Sequence, residues 1–160
     1  MGGGAGGSYQ YLIAGNGGTT YFGNYITAPG GNGGKGGGDS SYSGYAGGSG
    51  GDCSTNYPYV TFWQNYAGSS VAYGSNGVTY GKFWNFSSGA WEDSAYGQSG
   101  TGYNARDGSG ASGSSCVAIL DRVVPGEQIY VTIGTGGSQV GTKNGRIGSA
   151  GNPGLCVVYW

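Results

Sequence analysis

Apolar residues fall along this chain in short bursts separated by glycine, and no burst holds a helical period long enough to make a helix of ordinary length. The bursts read as strands. Tyr11-Leu12-Ile13-Ala14 ends in a glycine-asparagine breaker, and Tyr21-Phe22-Gly23-Asn24-Tyr25-Ile26 runs towards Pro29-Gly30. Tyr59 to Trp63 and Lys82 to Phe86 are two more, with a hairpin between them: Val71-Ala72-Tyr73 and Val78-Thr79-Tyr80 flank an Asn76-Gly77 turn, where both turn residues tolerate positive φ. Cys116 to Leu120 reads as a buried strand, and Val124-Pro125-Gly126-Glu127 as a turn with proline second. Gln128 to Ile133 alternates, with Ile129, Val131 and Ile133 on one face, and Leu155 to Trp160 closes the chain as another strand.

Between these bursts the spacing of glycine carries its own information. In Gly30-Gly31-Asn32-Gly33-Gly34-Lys35-Gly36-Gly37-Gly38 a spacer recurs at every third residue. Three residues make one turn of a polyproline-II-type helix, and glycine on two of its three edges lets neighbouring backbones touch. Collagen is excluded, because the G-X-Y repeat and the proline content are missing. A bundle of polyglycine-II helices is therefore expected in place of a floppy tether, since it pairs backbone groups that would otherwise be left without partners. The fold class expected is mainly β with irregular glycine-rich structure: short antiparallel strands plus polyglycine-II helices and essentially no α-helix.

One domain of 160 residues is divided by composition into residues 1–51, a glycine-rich scaffold, 52–115, an aromatic Ser/Asn-rich insertion, and 116–160, the C-terminal strands. The polar stretch from Gly97 to Ser115 reads as loop. With 41 glycines, disorder must be weighed, but 15 tyrosines and 4 tryptophans supply burial that flexible linkers lack. A net charge of −1 with scattered basic residues offers no stripe for nucleic acid or anionic lipid, and no apolar run is long enough for membrane insertion. Cys53, Cys116 and Cys156 have no C-x-x-C spacing, and reduced, packed thiols are expected.

Catalytic motifs are sparse. The absence of histidine removes Ser-His and Cys-His dyads and most zinc and iron sites, and no pattern asks for a cofactor or metal. Gly47-Gly48-Ser49-Gly50-Gly51 matches a nucleophile elbow by chance, without a base or a following helix. Gly31 to Gly36 matches G-x-G-x-x-G, a match with little content in so glycine-rich a chain. Asp52 with Glu92 or Asp93 forms the one carboxylate set that a glycosidase could use.

What remains is a binding inventory. Tyrosine, tryptophan, serine, glycine and asparagine give rigid contact area and adaptable hydrogen bonds, as in antibody loops, and flat aromatic faces beside amides also suit sugars. Trp63, Trp84 and Trp91 are the leading contact candidates, with Tyr59, Tyr73, Tyr80 and Asn85 beside them. Each tryptophan has an equal claim to be core in a domain so poor in leucine.

Three blocks resemble a known family. Gly17-Gly18-Thr19-Thr20-Tyr21-Phe22-Gly23 followed by Ile26 to Gly34, then Val124-Pro125-Gly126 to Gly137, then Gly148 to Trp160, are similar in order and spacing to the glycine-rich tip domains of bacteriophage tail fibres and adhesins. The resemblance leaves residues 39–115 uncovered. It implies a non-enzymatic, fibre-distal domain on the virion that attaches to a host cell-surface glycan or protein. Its other partner would be the remainder of the tail fibre, and the fibre setting allows a homotrimer. Related sequences carry a strand before the first glycine run, whereas here Met1 leads directly into Gly2. A structural or ice-binding protein and a glycosidase stay open as alternatives.

Overall fold

The computed structural model describes residues 1–7, 12–36, 50–70, 77–102, 108–141 and 147–160. Among them there is no helix, and eight short strands appear: β1 (Thr20–Phe22), β2 (Ile26–Ala28), β3 (Ser54–Thr55), β4 (Val60–Tyr66), β5 (Gly81–Asn85), β6 (Ala90–Ser94), β7 (Ser115–Leu120) and β8 (Val131–Thr132). They form three small antiparallel sheets: β3-β2-β1-β8, β4-β7 and β5-β6. The expected fold class is what the structure has.

The centre of the molecule is the N-terminal segment itself. Gly2, Gly3 and Gly4 donate their backbone N–H groups to three different segments, at Ser114, Gly18 and Asn152. The next three residues repeat the cycle: Ala5, Gly6 and Gly7 donate to Ala111, Gly15 and Ser149. Successive N–H groups therefore point about a third of a turn apart, as in polyglycine II. Carbonyls follow the same cycle, with Gly31 and Gly34 donating to Gly3 and Gly6, Gly137 and Val140 to Gly4 and Gly7, and Gly100 to Ala5. The central rod, about 20 Å long at roughly 3.1 Å per residue, thus has six neighbours.

Those neighbours also bond to one another and close a ring. Gly17 donates to Gly31, Ser114 to Pro29, Gly113 to Gly97, Asn152 to Gln98, Gly154 to Gly134, and Gly18 to Thr135. Every contact is backbone on backbone, which is why side chains are excluded. A Cβ on Gly3 would overlap the Thr135 carbonyl, and one on Gly34 the Gly108 carbonyl. The third edge of a peripheral rod faces water, so the spacers Asn32 and Lys35 are exposed while Gly31 and Gly34 are buried.

The core is built accordingly. Its buried apolar residues are Ala5, Ala14, Ala28, Ala111 and Cys53, and among the described residues no large apolar side chain is buried. Serine takes part: Ser112, Ser99 and Ser115 are buried, and their hydroxyls accept the N–H groups of Ser69, Thr79 and Lys82 at 2.9, 2.9 and 3.2 Å. Each hydroxyl stands where a carbonyl would otherwise receive an outer strand, so these backbone N–H groups are satisfied, while the buried Thr79 hydroxyl has no partner among the described residues.

Several expectations are corrected. Within the expected loop Gly97 to Ser115, the described residues 97–102 and 108–114 are rods, and they include Ser109, Ala111, Ser112 and Ser114, each at 1% exposure or less. Backbone pairing within a bundle, invisible to apolar patterning, is the reason. Tyr21 to Ile26 is not one strand but a hairpin, because Gly23 takes φ 53° and turns β1 back into β2. Of the expected strand Gln128 to Ile133 only Val131–Thr132 pairs, and Leu155 to Trp160 forms no ladder. Tyr11 and residues 71–76 of the proposed hairpin lie outside the described residues, and Val78 to Tyr80 is not a strand. Residues 81–94 form a further hairpin, β5-β6, whose second strand the sequence did not announce. Val124 to Glu127 is the expected turn, with Glu127 N–H on the Val124 carbonyl at 3.1 Å and Gly126 at φ 85°.

Candidate recognition surface

Strands leave the Met1 end of the bundle and present aromatic side chains beyond it. In β5-β6 the register sets Trp84 opposite Trp91 and Lys82 opposite Asp93. Strand alternation puts these four on one face. The two indoles meet edge to face at 5.4 Å, Trp84 lies 5.9 Å from Phe62, and Trp91 lies 6.0 Å from Tyr66. Phe62 and Tyr66 are on one face of β4, so the cluster joins two sheets, and Phe86 caps it 6.0 Å from Phe62. Such edge-to-face pairs add about 0.5–1.5 kcal/mol beyond burial. Lys82 pairs with Asp93, which raises the lysine pKa, and its ammonium also sits 5.8 Å from the Tyr66 ring centre.

A second cluster lies on the turns between strands. Tyr25, in the β1-β2 turn, packs edge to face on Tyr57 at 4.8 Å, and Tyr57 on Tyr59 at 6.1 Å. Its hydroxyls are tied down: Tyr57 donates to the Asp121 carbonyl at 2.8 Å, and Tyr25 to the Glu127 carboxylate, which holds the Tyr25 phenol above the ordinary tyrosine range. The Arg122 guanidinium lies 4.7 Å above the Tyr59 ring. Arg122 takes φ 57°, a left-handed conformation that a non-glycine residue rarely adopts. The backbone thus bends to bring a cation over an exposed aromatic face.

The residues expected to bind are divided by this geometry. Trp84 and Trp91 meet in the first cluster, half-buried. Trp63 points to the opposite face of β4 and joins neither cluster among the described residues. Tyr59 belongs to the second cluster, and Tyr80 stands exposed outside both. Asn85 spends its amide locally, donating to Glu92 at 2.6 Å and accepting from the Ser87 N–H at 2.8 Å. Tyr73 lies outside the described residues. Tyr25, Arg122 and Glu127 were missed by sequence reasoning, because the turns that gather them are far apart in the chain.

The candidate carboxylates are held separately. Asp93 pairs with Lys82 and Glu92 with Asn85 on opposite faces of β6, while Asp52 accepts from the Asn65 amide at 3.0 Å. All three cysteines are free thiols. A hydrogen bond with Cys116, together with burial, pushes the Cys53 thiol far up; burial, with a smaller contribution from Cys116, raises Cys156. No cluster of potential metal ligands occurs among the described residues, and no described helix is long and apolar enough to cross a membrane. Comparison with family models, characterised proteins and solved structures found no match to this chain.

Proposed function

We propose that this chain is a host-surface recognition domain, the tip of a bacteriophage tail fibre, which holds a surface glycan or an outer surface protein against its tyrosine-rich turns. The observation that carries this reading is the Tyr25-Tyr57-Tyr59 cluster with Arg122 above it. The exposed face of Tyr59 is held there by the half-buried rings of Tyr57 and Tyr25, whose hydroxyls are hydrogen-bonded, and by Arg122 at an unfavourable backbone angle, at the end of strands anchored in the bundle. Preorganisation of this kind lowers the entropy cost of binding, and aromatic residues with arginine are the side chains in which contact energy concentrates. The block resemblance to fibre tips points the same way. Trp84 and Trp91 serve in this reading as the support of the recognition surface.

The test is adsorption of the purified domain to a panel of bacterial strains, followed by Tyr59→Ala and Arg122→Ala on a strain that binds. Each change removes a contact worth about 2 kcal/mol, and adsorption weakens on the order of thirtyfold with melting unchanged. Full adsorption by both variants, or release of a cleaved glycan by the native chain, would overturn the reading.

A further inference from the structure

The aromatic insertion departs from the bundle near Cys53 and rejoins it at Cys116. Two separate ties lay these ends side by side. The Ser114 hydroxyl donates to the Gly51 carbonyl, and the Cys53 N–H donates to the Asn65 side-chain oxygen at 3.1 Å. Asn65 is the register partner of Cys116 across β4-β7. Its amide nitrogen also donates to Asp52 at 3.0 Å, so one side chain grips residues 52 and 53 together.

Strand alternation fixes which way the side chains point. Ser114 and Cys116 are two residues apart, with Ser115 already in strand conformation between them, and so lie on one face. That is the face from which the Ser114 hydroxyl reaches Gly51. Asn65 shares it, because directly opposed residues of an antiparallel pair stand side by side, about 4.5–5.5 Å apart at Cβ. Cys53 is thus carried to Cys116, and the two thiols share a hydrogen bond. Cys53 is buried and Cys116 half-buried. Cys156 has no such bond: burial, more than a neighbouring thiol, is what acts on it.

We propose that Cys53 and Cys116 form a disulfide when the folded chain meets a small-molecule disulfide such as oxidised glutathione, and that this bond closes the aromatic insertion at its base. Sulfur atoms already in hydrogen-bond contact have only to close to about 2.05 Å. Cys116 reacts first, because it is the more accessible of the two and because the hydrogen bond from Cys53 lowers its pKa. Its thiol gives a proton to water, and the thiolate attacks one sulfur of the reagent, breaking the reagent's S–S bond and releasing a thiolate that takes up a proton. Cys53 then gives up its proton, attacks the Cys116 sulfur of the mixed disulfide and expels the second reagent thiolate. Two protein thiols are oxidised, and one reagent disulfide is reduced to two thiols. The closed loop contains β4, β5 and β6 with Tyr57, Tyr59, Trp84 and Trp91. Cross-linking so long a loop restricts the unfolded chain strongly, so the oxidised domain melts higher. The thiol geometry is independent of what the aromatic surface binds.

The test treats the full chain with oxidised glutathione and maps the product by mass spectrometry without reduction. The mass falls by two hydrogen atoms, the Cys53 and Cys116 peptides appear joined, and Cys156 alone is alkylated in denaturant. The melting temperature rises by about 10 °C and falls back when a reductant is added. Cys156→Ser behaves like the native chain, whereas Cys53→Ser forms no internal bond; the map of the native chain decides the matter if a variant does not fold. The proposal is overturned if Cys53 and Cys116 emerge as free thiols or as glutathione adducts, or if Cys116 pairs with Cys156. A Cys53–Cys116 bond that leaves the melting temperature unchanged would overturn its role in closing the insertion.

Discussion

A Cβ on Gly33 would overlap the carbonyl oxygen of Ala14, a group that belongs to the neighbouring rod and cannot swing aside. The two rods are held at that separation by Ala14 N–H on the Gly34 carbonyl and Gly17 N–H on Gly31, both at 2.9 Å. Gly33→Val therefore parts two backbones and breaks these bonds. It should destabilise the domain by more than about 1 kcal/mol, the range in which overpacking is felt. Lys35→Ala, on the exposed edge of the same rod, should stay within about 0.5 kcal/mol. Urea denaturation of both variants checks the contrast, and equal stabilities would mean that the rod is a surface tether.

This contrast also marks what the sequence discloses. The three-residue spacing around Asn32 and Lys35 announced a polyglycine-II rod, because the solvent edge of a rod must carry a different residue from its two inner edges. It could not announce the central rod: Gly2 to Gly7 is glycine and alanine throughout, with no spacer, since all of its edges are inner ones. Nor could it announce residues 108–114, where serine replaces glycine. The reason is that a buried serine hydroxyl can accept an N–H, as Ser112 does from Ser69, whereas composition reads serine as solvent-facing. For the candidate site, tryptophan drew attention by rarity. The structure gives the exposed turns to Tyr25, Tyr57 and Arg122, whose approach depends on β1-β2 and the β7-β8 connection meeting across more than half the chain.

The tie between Tyr25 and Glu127 has a titration signature. The hydrogen bond to the carboxylate, more than any burial, raises the Tyr25 phenol pKa. A pKa raised in the folded state contributes stability that is present below the ordinary tyrosine value of about 10 and is lost as pH rises through the folded value. The midpoint of Tyr25 ionisation followed by NMR should thus lie above that of an ordinary tyrosine, and Glu127→Ala should return it to the ordinary range. If Tyr25 in the native chain titrates like free tyrosine, the turn is not closed by this bond.

The tryptophans should separate by what they touch. Trp84 sits between Phe62 and Trp91, so it bridges the β4-β7 and β5-β6 sheets, which have no ladder between them. Trp84→Ala removes one of the two aromatic links, leaving Trp91 on Tyr66, and opens a gap beside Phe62. A loss of about 3 kcal/mol is expected for an aromatic of this kind, at the lower end of the range because the ring is only half-buried. Trp63 is on the other face of β4 with no ring partner among the described residues, and Trp63→Ala should cost less than half as much. Adsorption separates them in the opposite sense. A tryptophan that holds the sheets together weakens binding only in step with melting, whereas one that meets the receptor weakens it, on the order of thirtyfold for about 2 kcal/mol, in a domain that melts normally. Thermal melts and adsorption measured on both variants distinguish the two roles. Unchanged melting in Trp84→Ala together with lost adsorption would move the recognition surface from the tyrosine turns to the tryptophan face of the β5-β6 hairpin.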